Sequence, residues 1–111
     1  MQPEHVAQNY FAAIRAKDID GLIALYAPDA SFTLPNGKRF EGVAAIREMH
    51  LGVFAAGSPT PTPLAMVVGP SSVAVEIEAR LPDGTARHTA NFYHLDTDGR
   101  IARLSVYMRG G

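Results

Sequence analysis

From Tyr10 to Pro35 the chain reads YFAAIRAKDIDGLIALYAPDASFTLP, and the reading of this stretch decides the fold. It reads as two amphipathic helices joined tightly, then a turn, then the first strand of a sheet. In the first helix Val6, Tyr10 and Ile14 recur at spacings of four, with Ala7 and Phe11 beside them. In the second, Ile19, Leu22, Ile23 and Tyr26 make the i, i+3, i+4, i+7 stripe of a helix with one buried face. Asp18 suits an N-cap, and Pro28 with Asp29 closes the second helix because proline cannot continue it. The pattern predicts one helix to about Ala16 and another over Asp18–Ala27. Each has one apolar face, and the later chain supplies a sheet to cover it. Tyr10 and Tyr26 lie on those stripes, so each carries a hydroxyl that needs a partner inside.

Outward from that stretch, Pro3 suits the first turn of the first helix. Ala30–Leu34 is a short strand, Pro35-Asn36-Gly37 a turn, and Lys38-Arg39-Phe40 a second short strand closing a hairpin. Gly42 starts a third helix, VAAIREMHLGVFAA, whose apolar face carries Ile46, Met49, Val53 and Phe54. His50 shares that face by spacing. The run Gly57–Pro63, GSPTPTP, must be extended, since each proline pushes the residue before it out of the helical region. A strand around Leu64–Val68 follows, then a turn at Gly69-Pro70-Ser71. Val73, Val75, Ile77, Ala79 and Leu81 alternate with Ala74, Glu76, Glu78 and Arg80, the period of a half-buried strand. Pro82-Asp83-Gly84 turns into a strand over Thr85–Leu95. Asp96–Gly99 turns again, and Arg100–Arg109 is the last strand. The order predicts one α+β domain over residues 1–111, three N-terminal helices on one face of a curved antiparallel sheet.

Composition narrows the function classes. A chain of 111 residues makes one core and has room for a pocket, not for two domains. A net charge of −1, with lysines and arginines scattered singly, gives no basic patch for nucleic acid or an acidic membrane. The absence of cysteine excludes disulfides, thiolate catalysis and cysteine-ligated metal. MQPEHVAQ has neither a basic region nor an apolar run, and no apolar run approaches a membrane span, so a cytoplasmic protein is expected. There is no phosphate-cradling glycine loop, nucleophile elbow or nucleotide fingerprint. His88 and His94 share a strand face, but six residues separate them, and no metal or other cofactor is expected.

The runs YFAAIRAKDIDGLIALYAPDASFTLPNG and FEGVAAIREMH, with the closing Gly99-Arg100-Ile101 and final strand, closely resemble bacterial ketosteroid isomerases. More broadly they resemble the SnoaL-like and nuclear-transport-factor-2-like proteins. The resemblance covers nearly the whole chain. It implies a cone-shaped curved sheet wrapped on three helices around a deep apolar pocket, and a common dimeric habit. It is poor in functional information, because this scaffold hosts isomerases, cyclases, hydrolases, dehydratases and non-catalytic binders.

The resemblance also implies a site. The family's oxyanion-hole tyrosine on the first helix matches Tyr10, and a supporting tyrosine from the second matches Tyr26. A further tyrosine, on the third helix, matches His50. The second oxyanion donor, a protonated aspartic acid on the penultimate strand, matches Asn91. The general base, an aspartate followed by proline, falls on Leu34, with Pro35 kept. The proton-abstracting carboxylate is therefore missing, and ordinary ketosteroid isomerisation is not expected. Tyr10 reads either as a donor to a ligand oxygen or as a packed tyrosine bonded to backbone or water. Asn91 stands mid-strand where an apolar residue belongs, and its amide can donate at any pH. His50 reads either as a satisfied core residue near Tyr10 or as an acid/base group. By strand parity with Asn91, a wall of Tyr93, Leu104, Val106 and Met108 is expected, joined by Leu34, Met49 and Phe54.

Two classes of function remain. One is a cofactor-free isomerase or cyclase acting on a small apolar carbonyl compound, with Tyr10 and Asn91 polarising the oxygen and His50 supporting. The other is a non-catalytic binding or dimeric interaction module. A homodimer is expected through the outer sheet face around Glu76, Arg103, Ser105 and Tyr107; partners of nucleic-acid or membrane type are not.

Overall fold

The structure, a computed structural model, describes residues 2–109. Its elements run α1 (Pro3–Ala16), α2 (Ile19–Ile23), β1 (Tyr26–Thr33), β2 (Arg39–Glu41), α3 (Val43–Ala55), β3 (Thr60–Val68), β4 (Ser72–Arg80), β5 (Ala86–Leu95) and β6 (Ile101–Met108). The strands form one sheet in the order β2-β1-β6-β5-β4-β3. The pair β1–β6 is parallel and the other neighbours are antiparallel. The sheet is therefore mixed, which corrects the expected antiparallel one. Strands β3 to β6 follow one another by tight turns, which only antiparallel neighbours allow. Strand β1 meets β6 after most of the chain has intervened, the long connection a parallel pair needs. The sheet stays open, with β2 and β3 at its edges. The helices are not grouped ahead of the strands either, because α3 follows the β1–β2 hairpin.

The second helix differs most from its expectation. α1 ends where Lys17 turns left-handed at φ 52°, and the Lys17 and Asp18 amides bond back to Ile14 and Ala13 carbonyls at 3.1 and 2.9 Å. Asp18 then caps α2, its Oδ1 accepting from the Gly21 amide at 3.1 Å. A side chain at Gly21 would meet the Asp18 carboxylate, which would have to shift from its capping position. But α2 ends at Ile23, not at Ala27. The Leu25 carbonyl accepts from the Ile101 amide at 2.8 Å, and Tyr26 pairs with Ile101. Pairing with β6 thus captures the chain before the helical stripe is used up. Pro28 and Asp29 fall inside β1, exposed, where the register shifts between Tyr26 and Ser31. A bulge tolerates a residue that cannot donate to the ladder. The strand expected over Ala30–Leu34 accordingly begins four residues earlier.

The same logic lengthens β3. Pro61 and Pro63 lie within it, opposite Ala79 and Ile77, because β3 is an edge strand and proline is accepted there. The core forms where helix and strand periods agree. Val6, Ala7, Tyr10, Phe11 and Ile14 of α1 are buried against Val73, Val75 and Ile77 of β4 and Tyr93 of β5. Burying each such side chain contributes roughly 1.5–3 kcal/mol. In β5 the period of two sends Asn91 and Tyr93 inward and leaves Phe92 40% exposed.

Candidate functional site

Four elements deliver polar side chains to one point in this core. Tyr10 comes from α1, Tyr26 from β1, His50 from α3, and Asn91 and Tyr93 from β5. All are buried, Asn91 and His50 at 6% and 3% exposure, which is where an unpaired polar group would be costly. They pair with one another. The Tyr26 hydroxyl and His50 Nε2 are 3.1 Å apart, and Asn91 Nδ2 donates to the Tyr93 hydroxyl at 3.0 Å. Tyr10 joins them through its ring, packed edge to face on Tyr26. The rings contact edge to face: Tyr10 lies 5.3 Å from Tyr93, 6.2 Å from His50 and 6.5 Å from Tyr26, centroid to centroid. His50 therefore touches Tyr10 by ring contact and bonds Tyr26 beside it.

Burial sets the charge state of the cluster. Loss of solvent raises all three tyrosines above the ordinary phenol range, and in Tyr26 and Tyr93 the neighbouring phenols push the same way. Burial pulls His50 down to about 4, because the imidazolium loses its hydration. At neutral pH the cluster is thus uncharged. Its hydroxyl, imidazole and amide groups can polarise an oxygen by hydrogen bonding but carry no ionised base.

A cleft of about 200 Å³ opens beside it. Tyr10, His50 and Asn91 border the cleft with Thr89; Phe11, Ile14, Phe32, Leu34, Met49, Val53, Ile77, Ala79 and Val106 make the apolar wall. Ser58, Pro59 and Pro61 supply the remaining side. That segment is held by Arg15, whose Nη2 donates to the Pro61 carbonyl at 2.7 Å, and by left-handed Gly57 at φ 110°, packed on Pro82. Among the described residues no carboxylate and no lysine or arginine side chain lines the cleft.

Of the residues expected at the site, Tyr10, His50, Asn91, Leu34, Met49 and Val106 border the cleft. Tyr26, Tyr93 and Leu104 are fully buried behind its wall, and Phe54 is half-buried with its ring 6.3 Å from His50. Met108 does not reach it. The parity is right, Asn91 opposite Val106 and Thr89 opposite Met108, but Met108 ends β6 and is 44% exposed. It borders an outer depression with Leu64 and Tyr107 instead. Phe32 and Thr89 were missed, although parity with Leu34 and Asn91 marks both. The Ser58–Pro61 side had no signal, since it depends on where the chain folds back.

The opposite sheet face is different in kind. Thr33, Arg39, Phe92, His94, Arg103, Ser105 and Tyr107 border an open depression of about 660 Å³. Phe92 and Tyr107 stack edge to face at 5.5 Å. Glu78 pairs with Arg80 at 2.9 Å on its own strand and lies 3.9 Å from His88 across the ladder. Among the described residues no three His, Asp or Glu side chains converge as a metal-ligand set. No described helix is long and apolar enough to cross a membrane.

Solved structures share this architecture across almost the whole chain. A Sinorhizobium meliloti protein, provisionally named polyketide cyclase, is 31% identical, with 92% of this chain and 93% of that one covered and a TM-score of 0.79. A Kribbella flavida protein, provisionally named ketosteroid isomerase, is 21% identical over 96% of this chain and 77% of its own, TM-score 0.87. SalBIII, an epoxide hydrolase/cyclase-like enzyme, is 22% identical over 96% and 90%, TM-score 0.84. Others of the same fold are named NTF2-like, of unknown function. The family model for the SnoaL-like domain matches residues 7–104, and the chain belongs to that family.

Proposed function

We propose that the cleft holds a small apolar molecule by an oxygen and that the chain works as an isomerase or cyclase without a carboxylate base of its own. The observation that carries this is the meeting of Tyr10, His50 and Asn91 with an otherwise apolar wall. Donors fixed in a dry site are strongest where charge develops on a bound oxygen, and they need no reorganisation. The names of the neighbours point the same way: polyketide cyclase, ketosteroid isomerase, and SalBIII in pyran ring formation. A second reading, binding without chemistry, is favoured by one specific feature. By the resemblance Leu34 falls where the isomerases carry their aspartate base, it borders the cleft, and burial leaves His50 too weak a base to replace a carboxylate.

A small β,γ-unsaturated cyclic ketone tests the polarising role of Tyr10 and Asn91, on which the first reading rests. Wild type should bind it and isomerise it negligibly, whereas Leu34→Asp should gain activity, since a positioned general base contributes ~10²–10⁴-fold. The new carboxyl, among apolar neighbours, should titrate above its usual range, which suits a base near neutrality. Tyr10→Phe in that background should remove most of the gain. Wild-type turnover equal to the variant would put the base elsewhere, with His50 first. A folded Leu34→Asp that binds the ketone and stays inactive would retire the polarising role of Tyr10 and Asn91 and leave the binding reading.

The same proposal includes a pair of copies meeting through the outer sheet face. Support comes from the charge pattern there: Glu76 flanks the exposed Phe92–Tyr107 pair on one side and Arg103 on the other. A two-fold arrangement would set the acid of one copy against the base of its partner. Sedimentation should give a dimer that Tyr107→Glu dissociates; a wild-type monomer at micromolar concentration counts against it.

A further inference from the structure

The cleft is small and its polar side is partly engaged, and both properties bear on what it takes. We infer that its ligand is a neutral molecule of one or two rings with a single carbonyl or ether oxygen, and that carboxylates and four-ring compounds are rejected. This rests on the reading of the cleft as a ligand site.

Size comes first. At about 200 Å³ the cleft falls below the roughly 300–1,000 Å³ of pockets that enclose drug-sized ligands. Its walls have little freedom to retreat. Phe11 and Ile77 belong to the buried core, and the Pro59–Pro61 side is tied to α1 through Arg15.

Charge comes second. A buried carboxylate needs a cation or donors for both oxygens, with about four acceptor sites to satisfy. Among the described residues the cleft's lining holds no lysine or arginine. Two of its donors are engaged: an Asn91 amide hydrogen on Tyr93, and Tyr26 with His50. What is left suits one oxygen that accepts one or two hydrogen bonds. A cluster that stays neutral also offers an anion no compensating charge.

The inference is tested on intact protein with three probes by isothermal titration at pH 7. 2-Acetylnaphthalene and 2-naphthoate share a ring system and differ by a methyl ketone against a carboxylate; progesterone supplies four rings. The ketone should bind. The carboxylate should bind at least ~10-fold more weakly, a modest fraction of what burying an unpaired anion costs. It should recover affinity as pH falls toward its own pKa. Progesterone should also bind at least ~10-fold more weakly, since overfilling a packed wall is unfavourable. Leu34→Lys places an amine on the half-buried wall beside the exposed turn, where its stem can lie along apolar surface. It should raise naphthoate affinity and leave ketone affinity lower. Naphthoate binding as tightly as the ketone overturns the charge rule, and progesterone binding as tightly overturns the size rule; either leaves the cleft a ligand site. Failure of all three probes to bind overturns both rules together with the reading they rest on.

Discussion

Strands β5 and β6 present two chemistries from the same backbone. Inward go Asn91, Tyr93, Leu104 and Val106; outward go Phe92, His94, Arg103, Ser105 and Tyr107. The inner polar pair, Asn91 with Tyr93, sits hydrogen-bonded in a neutral cluster, whereas the outer set keeps its charges in solvent. Two histidines show the consequence. His50, almost wholly buried, is pulled down to about 4, while the half-buried His94 is lowered by burial and by the Arg103 charge and remains on a wet surface. The side of the sheet a polar group faces, rather than residue type, decides whether it is a structural commitment or a solvated one.

The sharpest way to break that comparison is to truncate adjacent aromatics of β5. Tyr93→Ala removes a ring with no exposure and should cost about 3–5 kcal/mol. Phe92→Ala, one residue away and facing out, should cost under about 1 kcal/mol in a monomer. Urea midpoints would measure both, and equal losses would mean the two faces are not what the burial pattern says.

The next effect is a pH dependence. His50 titrates lower in the folded chain than in the unfolded one, so the unfolded chain binds the extra proton first as pH falls. Its contribution is complete above the ordinary histidine value near 6.5 and is lost progressively down to about 4. The loss over that window should be about 3 kcal/mol. Carboxylates titrate in its lower part, so wild type is compared with His50→Gln, in which the slope between pH 6.5 and 4.5 should flatten. His94→Gln should change that slope much less. A slope that survives His50→Gln intact would place the titrating group elsewhere.

Asn91→Leu tests the pairing inside the cluster. It leaves the Tyr93 hydroxyl without its donor and should cost about 1–3 kcal/mol, with Tyr93→Phe in the same chain recovering part of the loss. Additivity of the two changes would show that the 3.0 Å contact carries no coupling. The smallest effect belongs to the outer face. Glu78→Gln breaks the exposed pair with Arg80 and should move stability by less than about 0.5 kcal/mol, and less still in high salt. A larger change there would mean that face is covered.

Much of this was legible in the residues. The spacing of Val6, Tyr10 and Ile14 marked α1 and its buried face, and the alternation from Val73 to Arg80 marked β4 with its inward side. Resemblance brought Tyr10, Tyr26, His50 and Asn91 together as a set before any coordinates did. What the sequence misplaced was the end of α2. Ile19, Leu22, Ile23 and Tyr26 satisfy a helical period, yet the backbone of Leu25 and Tyr26 pairs with Ile101, seventy-five residues beyond Tyr26. A local period cannot report a ladder partner that distant, and a five-residue helix has too few bonds of its own to resist it.

By itself, then, the sequence determined which side chains are apolar, how they repeat, and which polar residues interrupt the repeat. The tertiary structure alone decided that Tyr26 reaches its partner from a strand and that His50 bonds Tyr26. It also decided that the GSPTPTP segment closes one side of the cleft. The physical reason is common to all three. Hydrophobic periodicity is a property of neighbours along the chain, whereas a hydrogen bond between side chains is set by elements that meet only when the sheet and helices pack.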